Sequence, residues 1–374
     1  MAGIYLHIPF CKKACNYCNF HFSTNQQKMD DLVNALIQEI TIQQHYLTDT
    51  VETIYFGGGT PSLLKPAQLT VLLETIHQFF TVKADAEITL EANPDDIDST
   101  VLNAWKRAGI NRLSIGIQSF QEADLQWMGR AHNALQALNC IQEAREAGIS
   151  NLSIDLIYGG PTLPHKNWEL NLKTAIDAGV SHLSCYALTV EPKTALALKI
   201  NRHELPEIDS VHQSEQFLML QTITANAGYE QYEISNFALP GKRSKHNSSY
   251  WSGAHYLGIG PSAHSFNGVS RQWNISNNSL YIQSILKGAV PFEMEVLTPI
   301  QQINEYIMTA LRTVEGISAE TIDRIAQQPI FTELVKDAQK HIHRGLMECN
   351  HHQLLITPAG KFMADGIAAD LFRD

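Results

Sequence analysis

No run of eighteen apolar residues occurs anywhere in the 374 residues of this chain, so no ordinary transmembrane helix is encoded. The opening MAGIYLHIPF is interrupted by His7 and Pro9, and it has neither a basic leader nor a small-residue cleavage site. It is therefore not expected to act as a signal peptide. Basic charge is in short supply, with 27 Lys and Arg against 38 Asp and Glu and a net charge of -11, which argues against broad attraction to nucleic acid. Low-complexity tracts and coiled-coil heptads are missing as well. Six cysteines are too few for a disulfide framework at this length, and a reducing compartment, the cytoplasm, is the expectation. The composition, 44% hydrophobic and 17% charged, is that of a soluble globular protein, and it fits a small-molecule partner better than a polynucleotide.

What the chain does have is alternation. IYLHI reads as a strand, and Asp31 to Tyr46 as a helix with Val33, Leu36, Ile37 and Ile40 on one face. Strands follow at Val51 to Phe56, Glu87 to Ala92 and Arg112 to Ile117, with helices near Pro66 to Phe80 and after Asp98. Such alternation predicts a parallel sheet. A quasi-repeat, KRAGINRLSIGI, REAGISNLSIDL, DAGVSHLSCYAL and the weaker NAGYEQYEIS, places Gly109, Gly148, Gly179 and Gly228 where helices stop before strands. Repeated βα units fit either a barrel or an open doubly wound sheet. Around Lys287 to Pro299 the pattern becomes a connection, which divides the chain into 1-290 and a smaller, mainly helical domain at 291-374. That domain has helices at Gln301 to Val314, Ala319 to Ala326 and Thr332 to Arg344, then two short strands and a closing helix, a winged-helix-like plan.

Three cysteines stand together in CKKACNYCNF as C-x3-C-x2-C: Cys11, Cys15 and Cys18. Thiolates select soft metals. One reading is a structural zinc site completed by His21. The other is a [4Fe-4S] cluster with three cysteine-bound irons and a fourth open to a chelating ligand. Polar groups recur at predicted strand ends: GGGTPS (57–62) after the second, Glu91 in EANPD, Gln118 in SIGIQSF and Asp155 in SIDLIYG. In a parallel barrel, groups at the C-terminal strand ends converge on one site.

The cysteine motif, with the aromatic Tyr17 before its last member, resembles that of radical S-adenosylmethionine (SAM) proteins. The resemblance implies a partial (β/α)6 barrel and a [4Fe-4S] cluster whose open iron is chelated by SAM, which an electron cleaves to a 5'-deoxyadenosyl radical. Nearly the whole chain is similar to the oxygen-independent coproporphyrinogen III oxidases and their relatives, through YLHIPFC, YFGGGTPS, LEANPD, IGIQSF, the Arg130 region, DLIYG, LRTVEGI and TPAG. That likeness implies SAM contacts at Tyr5, Gly58, Gly59, Thr60, Glu91, Gln118, Arg130 and Asp155, with Tyr17 against the adenine.

Two departures separate this chain from the oxidases. They carry a further cysteine two positions after the third, where Phe20 stands here, and they have a longer N-terminal extension. KHNSSYW instead resembles the HNxxYW signature of the heme-chaperone relatives. The resemblance implies binding of heme as cargo, with His246, Tyr250 and Trp251 as its contacts, and delivery to acceptor hemoproteins, including respiratory ones met transiently at the membrane. It also leaves room for a homodimer. His341, His343, His351 and His352 are further candidate iron ligands. The alternative activity is oxidative decarboxylation of coproporphyrinogen III.

Overall fold

A computed structural model describes residues 2–374. Strands and helices alternate as β1 (Ala2–Ile8), α1 (Met29–Ile42), β2 (Val51–Gly58), α2 (Pro66–Phe79), β3 (Val82–Ala92), α3 (Ser99–Ala108), β4 (Arg112–Gln118), α4 (Glu122–Met128), α5 (Ala134–Glu146), β5 (Leu152–Tyr158), α6 (His165–Asp177) and β6 (His182–Ala187). The six strands pair in parallel in chain order, which is the expected partial (β/α)6 barrel. Period-two alternation explains its layering. Ile4, Leu6, Ile8, Ile54, Phe56, Leu90, Ile115 and Ile154 join the main hydrophobic core. The residues between them in sequence, such as Tyr5, Tyr55, Glu91, Ser114 and Asp155, take the opposite face and make the barrel interior polar.

Helix ends follow the local chemistry. Asp98 caps α3 by accepting from the backbone N–H groups of Thr100 and Val101, and Gly109 closes it at φ 108°. Gly148, Gly179 and Gly228 also take positive φ, as the quasi-repeat predicts.

After β6 come α7 (Ala195–Asn201), α8 (Ser210–Asn226), β7 (Glu230–Gln231), β8 (Asn236–Ala238), α9 (Lys245–Trp251), β9 (His255–Ile259), β10 (His264–Phe266), β11 (Ser270–Asn274), α10 (Asn278–Ile285) and β12 (Phe292–Val296). These extend the barrel to a twelve-stranded sheet in the order β12-β11-β10-β9-β1-β2-β3-β4-β5-β6-β8-β7. The stretch read from sequence as a connection therefore contains a strand, and the large sheet runs past residue 290 to Val296.

A second core spans Ile303 to Leu371. It is built from α11 (Pro299–Leu311), β13 (Ile317–Ser318), α12 (Ala319–Ala326), α13 (Phe331–Asp337), α14 (Gln339–His343), β14 (Met347–Cys349), β15 (Gln353–Ile356) and α15 (Ala364–Ala369), with a three-stranded sheet β13-β15-β14. The helix expected over Thr332 to Arg344 is two helices that meet at Ala338. His341 is buried against Asp370, 3.0 Å from its carboxylate, whereas His343, His351 and His352 are exposed.

Buried Glu39 of α1 ties the first helix to the sheet extension. It accepts hydrogen bonds from Gly260 N–H (2.7 Å), Asn274 Nδ2 (2.7 Å), Gln43 Nε2 (2.9 Å) and the Tyr281 hydroxyl. Burial pushes its carboxyl up to about 7 against those four donors. A folded-state value raised this way gives full stability at acid pH, declining as pH rises from the ordinary carboxylate range to about 7. Glu39→Gln turns an amide N–H toward donors and is expected to cost about 3 kcal/mol in urea unfolding at pH 8. An unchanged midpoint would contradict this account.

Candidate metal and cofactor site

The cysteine loop leaves β1 over the C-terminal ends of β2 to β4, and the backbone holds it there. Cys11 N–H donates to Ser23 C=O (3.0 Å) and Ser23 N–H to Pro9 C=O (2.8 Å), which closes the loop at its base. In mid-loop, Asn16 N–H bonds Met128 C=O (3.2 Å) and Asn16 Nδ2 bonds Trp127 C=O (2.7 Å), at the end of α4. Leu196 N–H of α7 donates to Asn16 C=O at 2.9 Å. Lys12 pairs with Asp95 (2.8 Å) and Asp96 beyond β3. On the inner side, the Tyr5 hydroxyl donates to His7 Nδ1 (3.2 Å), and His7 Nε2 donates to His21 C=O (3.0 Å).

The glycines of GGGTPS serve packing as much as a ligand. A Cβ on Gly59 would lie 2.7 Å from Phe10 O and 2.8 Å from Phe10 N, and one on Gly58 would lie 2.6 Å from the His7 ring. Backbone cannot give way as a flexible side chain does.

Loop and strand ends enclose a cavity of about 500 Å³. Cys11, Cys15, Cys18, Tyr17, Gly58, Gly59, Thr60, Glu91, Gln118, Arg130 and Asp155 all line it, so the structure gathers nearly every SAM and cluster residue expected from sequence. Tyr5 is the exception. It sits further into the barrel, where its ring stacks on Tyr55 at 6.1 Å. Asn93, Ser114, Gly116, Ile157, Tyr186 and Leu188 also line the cavity and were not singled out from sequence. Counting back by twos from Gln118 finds Gly116 and Ser114, and forward from Asp155 finds Ile157.

The three cysteines are free. Burial, the largest effect, pushes the Cys11 thiol up and the Cys18 thiol up to about 11, so a bound cation would be needed to hold thiolates at neutral pH. Ligands on one zinc, each about 2.3 Å from it, stand no more than about 4.6 Å apart. The cysteine sulfurs are not among the described groups whose ligand atoms all lie within 4.8 Å of one another. His21, the fourth ligand of the zinc reading, instead bonds Asn278 Oδ1 through Nε2 at 2.6 Å. The set suits a polynuclear cluster that spreads its thiolates over separate irons.

Glu91 accepts from Tyr55 O–H (2.8 Å) and Gly58 N–H (3.1 Å). Burial and then the neighbouring Asp155 push its carboxyl up to about 7, and burial pushes Asp155 up to about 6. Buried Arg112 lowers both from within the barrel. Arg130 donates to Asn93 Oδ1 and Gly116 C=O, both at 2.7 Å, and lies 3.4 Å from Cys15 Sγ. Two acids beside one arginine suit a zwitterionic ligand that carries an additional cation.

The HNSSYW residues lie at the other end of the strands. His246 is buried, with Nδ1 2.8 Å from Thr53 Oγ1, Nε2 2.9 Å from the Tyr250 hydroxyl, and its ring stacked on Tyr55 at 4.8 Å. Glu87 accepts from His246 N–H at 3.0 Å and from Lys245 N–H at 3.2 Å. Burial lowers His246 to about 3, so it is neutral at physiological pH. Trp251 packs under the Arg312 guanidinium at 5.4 Å, which links α9 to the C-terminal domain. Both ring nitrogens of His246 are thus engaged within the protein, and Thr53 is five residues, about 17 Å, from Gly58 along β2. His246→Ala is expected to cost about 3 kcal/mol of stability in urea unfolding, and an unperturbed transition would refute the packing role. Gly59→Ala should leave far-UV circular dichroism unchanged while displacing the cysteine loop, seen as failure to retain metal at the cysteines.

Comparison with known proteins agrees with this geometry. The radical SAM superfamily profile matches residues 5–175. A protein named heme chaperone HemW from Bacillus subtilis is 34% identical, covering 98% of this chain and 98% of its own. One of the same name from Mycobacterium tuberculosis is 32% identical over 99% of this chain and 94% of its own. The solved coproporphyrinogen III oxidase (HemN) of Escherichia coli, described as a radical SAM enzyme, superposes with a TM-score of 0.87 at 25% identity, covering 99% of this chain and 90% of that one. With cysteine loop, strand-end acids and full-length likeness in agreement, the chain belongs to the HemW family of radical SAM proteins.

Proposed function

We propose that the chain binds a [4Fe-4S] cluster through Cys11, Cys15 and Cys18, holds SAM in the adjoining cavity, and carries heme to acceptor hemoproteins. The observation that carries the reading is the convergence of three free thiols, two raised carboxyls and one arginine on a single cavity in a HemW-family chain. When bound, such a cluster supplies an electron and one iron free to chelate the amino and carboxylate groups of SAM. Glu91 and Asp155 accept the ribose hydroxyls and face the cationic end of the ligand. Arg130 pairs with the carboxylate. Tyr17 closes over the adenine, and Gly58 to Thr60 bring backbone close to the ligand. Heme contacts at His246, Tyr250 and Trp251 belong to this proposal, and His246 would have to leave Thr53 or Tyr250 to meet the iron.

Acceptors in the respiratory chain, met transiently at the membrane, and a homodimeric state belong to the same proposal. Six free cysteines fit a reducing compartment such as the cytoplasm. No helix of the described residues is long and apolar enough to cross a membrane.

The likeness to coproporphyrinogen III oxidase favours a second reading, anaerobic decarboxylation of coproporphyrinogen III. Phe20, exposed at the edge of the cavity where the oxidases carry a cysteine, argues against it. Anaerobic reconstitution followed by SAM and heme titration separates the two. The chaperone reading expects a Soret shift, heme transfer to an apo-hemoprotein, and no protoporphyrinogen; protoporphyrinogen without heme transfer would reverse the assignment.

SAM affinity should rise with pH through the range of about 6 to 7, as Asp155 and Glu91 ionise. Asp155→Asn should weaken it by about 10-fold or more. A flat pH profile would remove both acids from the SAM site.

A further inference from the structure

A second cluster of ligand atoms stands outside the cavity. His165 opens α6, and His212 and Glu215 lie three residues apart near the start of α8, so both project toward the loop that precedes α6. One ligand atom from each of the three falls within 4.8 Å of the others, the only such set among the described residues. The imidazoles stack with centroids 4.7 Å apart. His212 Nε2 donates to Leu163 C=O at 3.0 Å, which leaves its Nδ1 with a free lone pair. His165 Nε2 donates to Glu215 at 3.0 Å, and its Nδ1 is shut from solvent without a hydrogen-bond partner.

An ordinary surface ion pair does not account for this set. Exposed His–Glu pairs contribute little, whereas an occluded ring nitrogen without a partner carries a desolvation cost. A carbonyl that accepts the second N–H of an imidazole is the usual device that fixes a metal-binding tautomer, and His212 has one in Leu163 C=O; on His165 the ion would take the place of the proton between Nε2 and Glu215. Two imidazoles and a carboxylate suit zinc, nickel or cobalt rather than magnesium or calcium.

We infer that His165, His212 and Glu215 form a binding site for a divalent transition-metal ion, separate from the cysteine cluster. The ion pins the rim of the cavity. Gln216 of the same helix bonds Gly159 N–H (2.7 Å) and Leu163 C=O (2.8 Å), and Gln213 bonds the carbonyl of the cavity-lining Leu188 (2.8 Å). An ion between α8 and α6 fastens the Gly159–Leu163 loop to α8 a second time.

The test uses the full chain, prepared anaerobically with the cysteine site in the same state in every sample, and zinc as the probe. Wild type should bind one zinc more than Glu215→Gln or His212→Ala, or bind it roughly 10- to 100-fold more tightly. Zinc should also raise the melting temperature of wild type but not of the variants. Cobalt should give d–d absorption bands in wild type that both variants lose. Glu215 is exposed, so Glu215→Gln keeps the test open if His212→Ala fails to fold. Equal zinc binding and equal thermal shifts in wild type and Glu215→Gln would overturn the inference.

Discussion

The fold's capacity to hold a cofactor rests on the contact between Gly59 and the backbone of Phe10. β1 and β2 are parallel neighbours, and Gly59 N–H donates to Ile8 C=O at 2.9 Å where both strands end. The chain then turns directly into the cysteine loop, with no room for a side chain at Gly59. Because the loop starts pressed against the strand ends, its thiols face the same cavity as Glu91, Gln118 and Asp155. The remaining fasteners, from α4, α7 and Lys12, set the loop's outer course once that start is fixed.

The barrel interior divides its polar groups between two tasks. At the C-terminal ends the acids are left without full partners in a low-dielectric cavity, and their raised values record the cost. At the N-terminal ends most polar groups are matched instead, the guanidinium nitrogens of Arg112 excepted. His182 lies between Ser153 and the Tyr232 hydroxyl, His246 between Thr53 and Tyr250, and Glu87 receives the first N–H groups of α9. A satisfied buried network gives rigidity, and an unsatisfied one gives affinity for a ligand. Arg112, fully buried 3.9 Å from Glu87, spans the two regions electrostatically.

Family resemblance was needed for Tyr17 and Arg130, but the sequence by itself determined the βα alternation, the helix stops at Gly109, Gly148, Gly179 and Gly228, and the strand-end residues Glu91, Gln118 and Asp155 that meet at the cavity. These are local matters: hydrophobic period, the φ a stop requires, and polar residues at strand ends, all carried by neighbours in the chain. It did not reveal the antiparallel strands on either side of the barrel, because short segments such as His264–Phe266 take their strand character from the edge they join. The tertiary structure decided where the HNSSYW helix packs. A histidine between a lysine and an asparagine reads as available, and only packing α9 against the starts of β1 and β2 puts both nitrogens on partners 193 and four residues away. It also brought His165 beside His212 and Glu215, since ligands from two helices share no spacing that a linear pattern could carry.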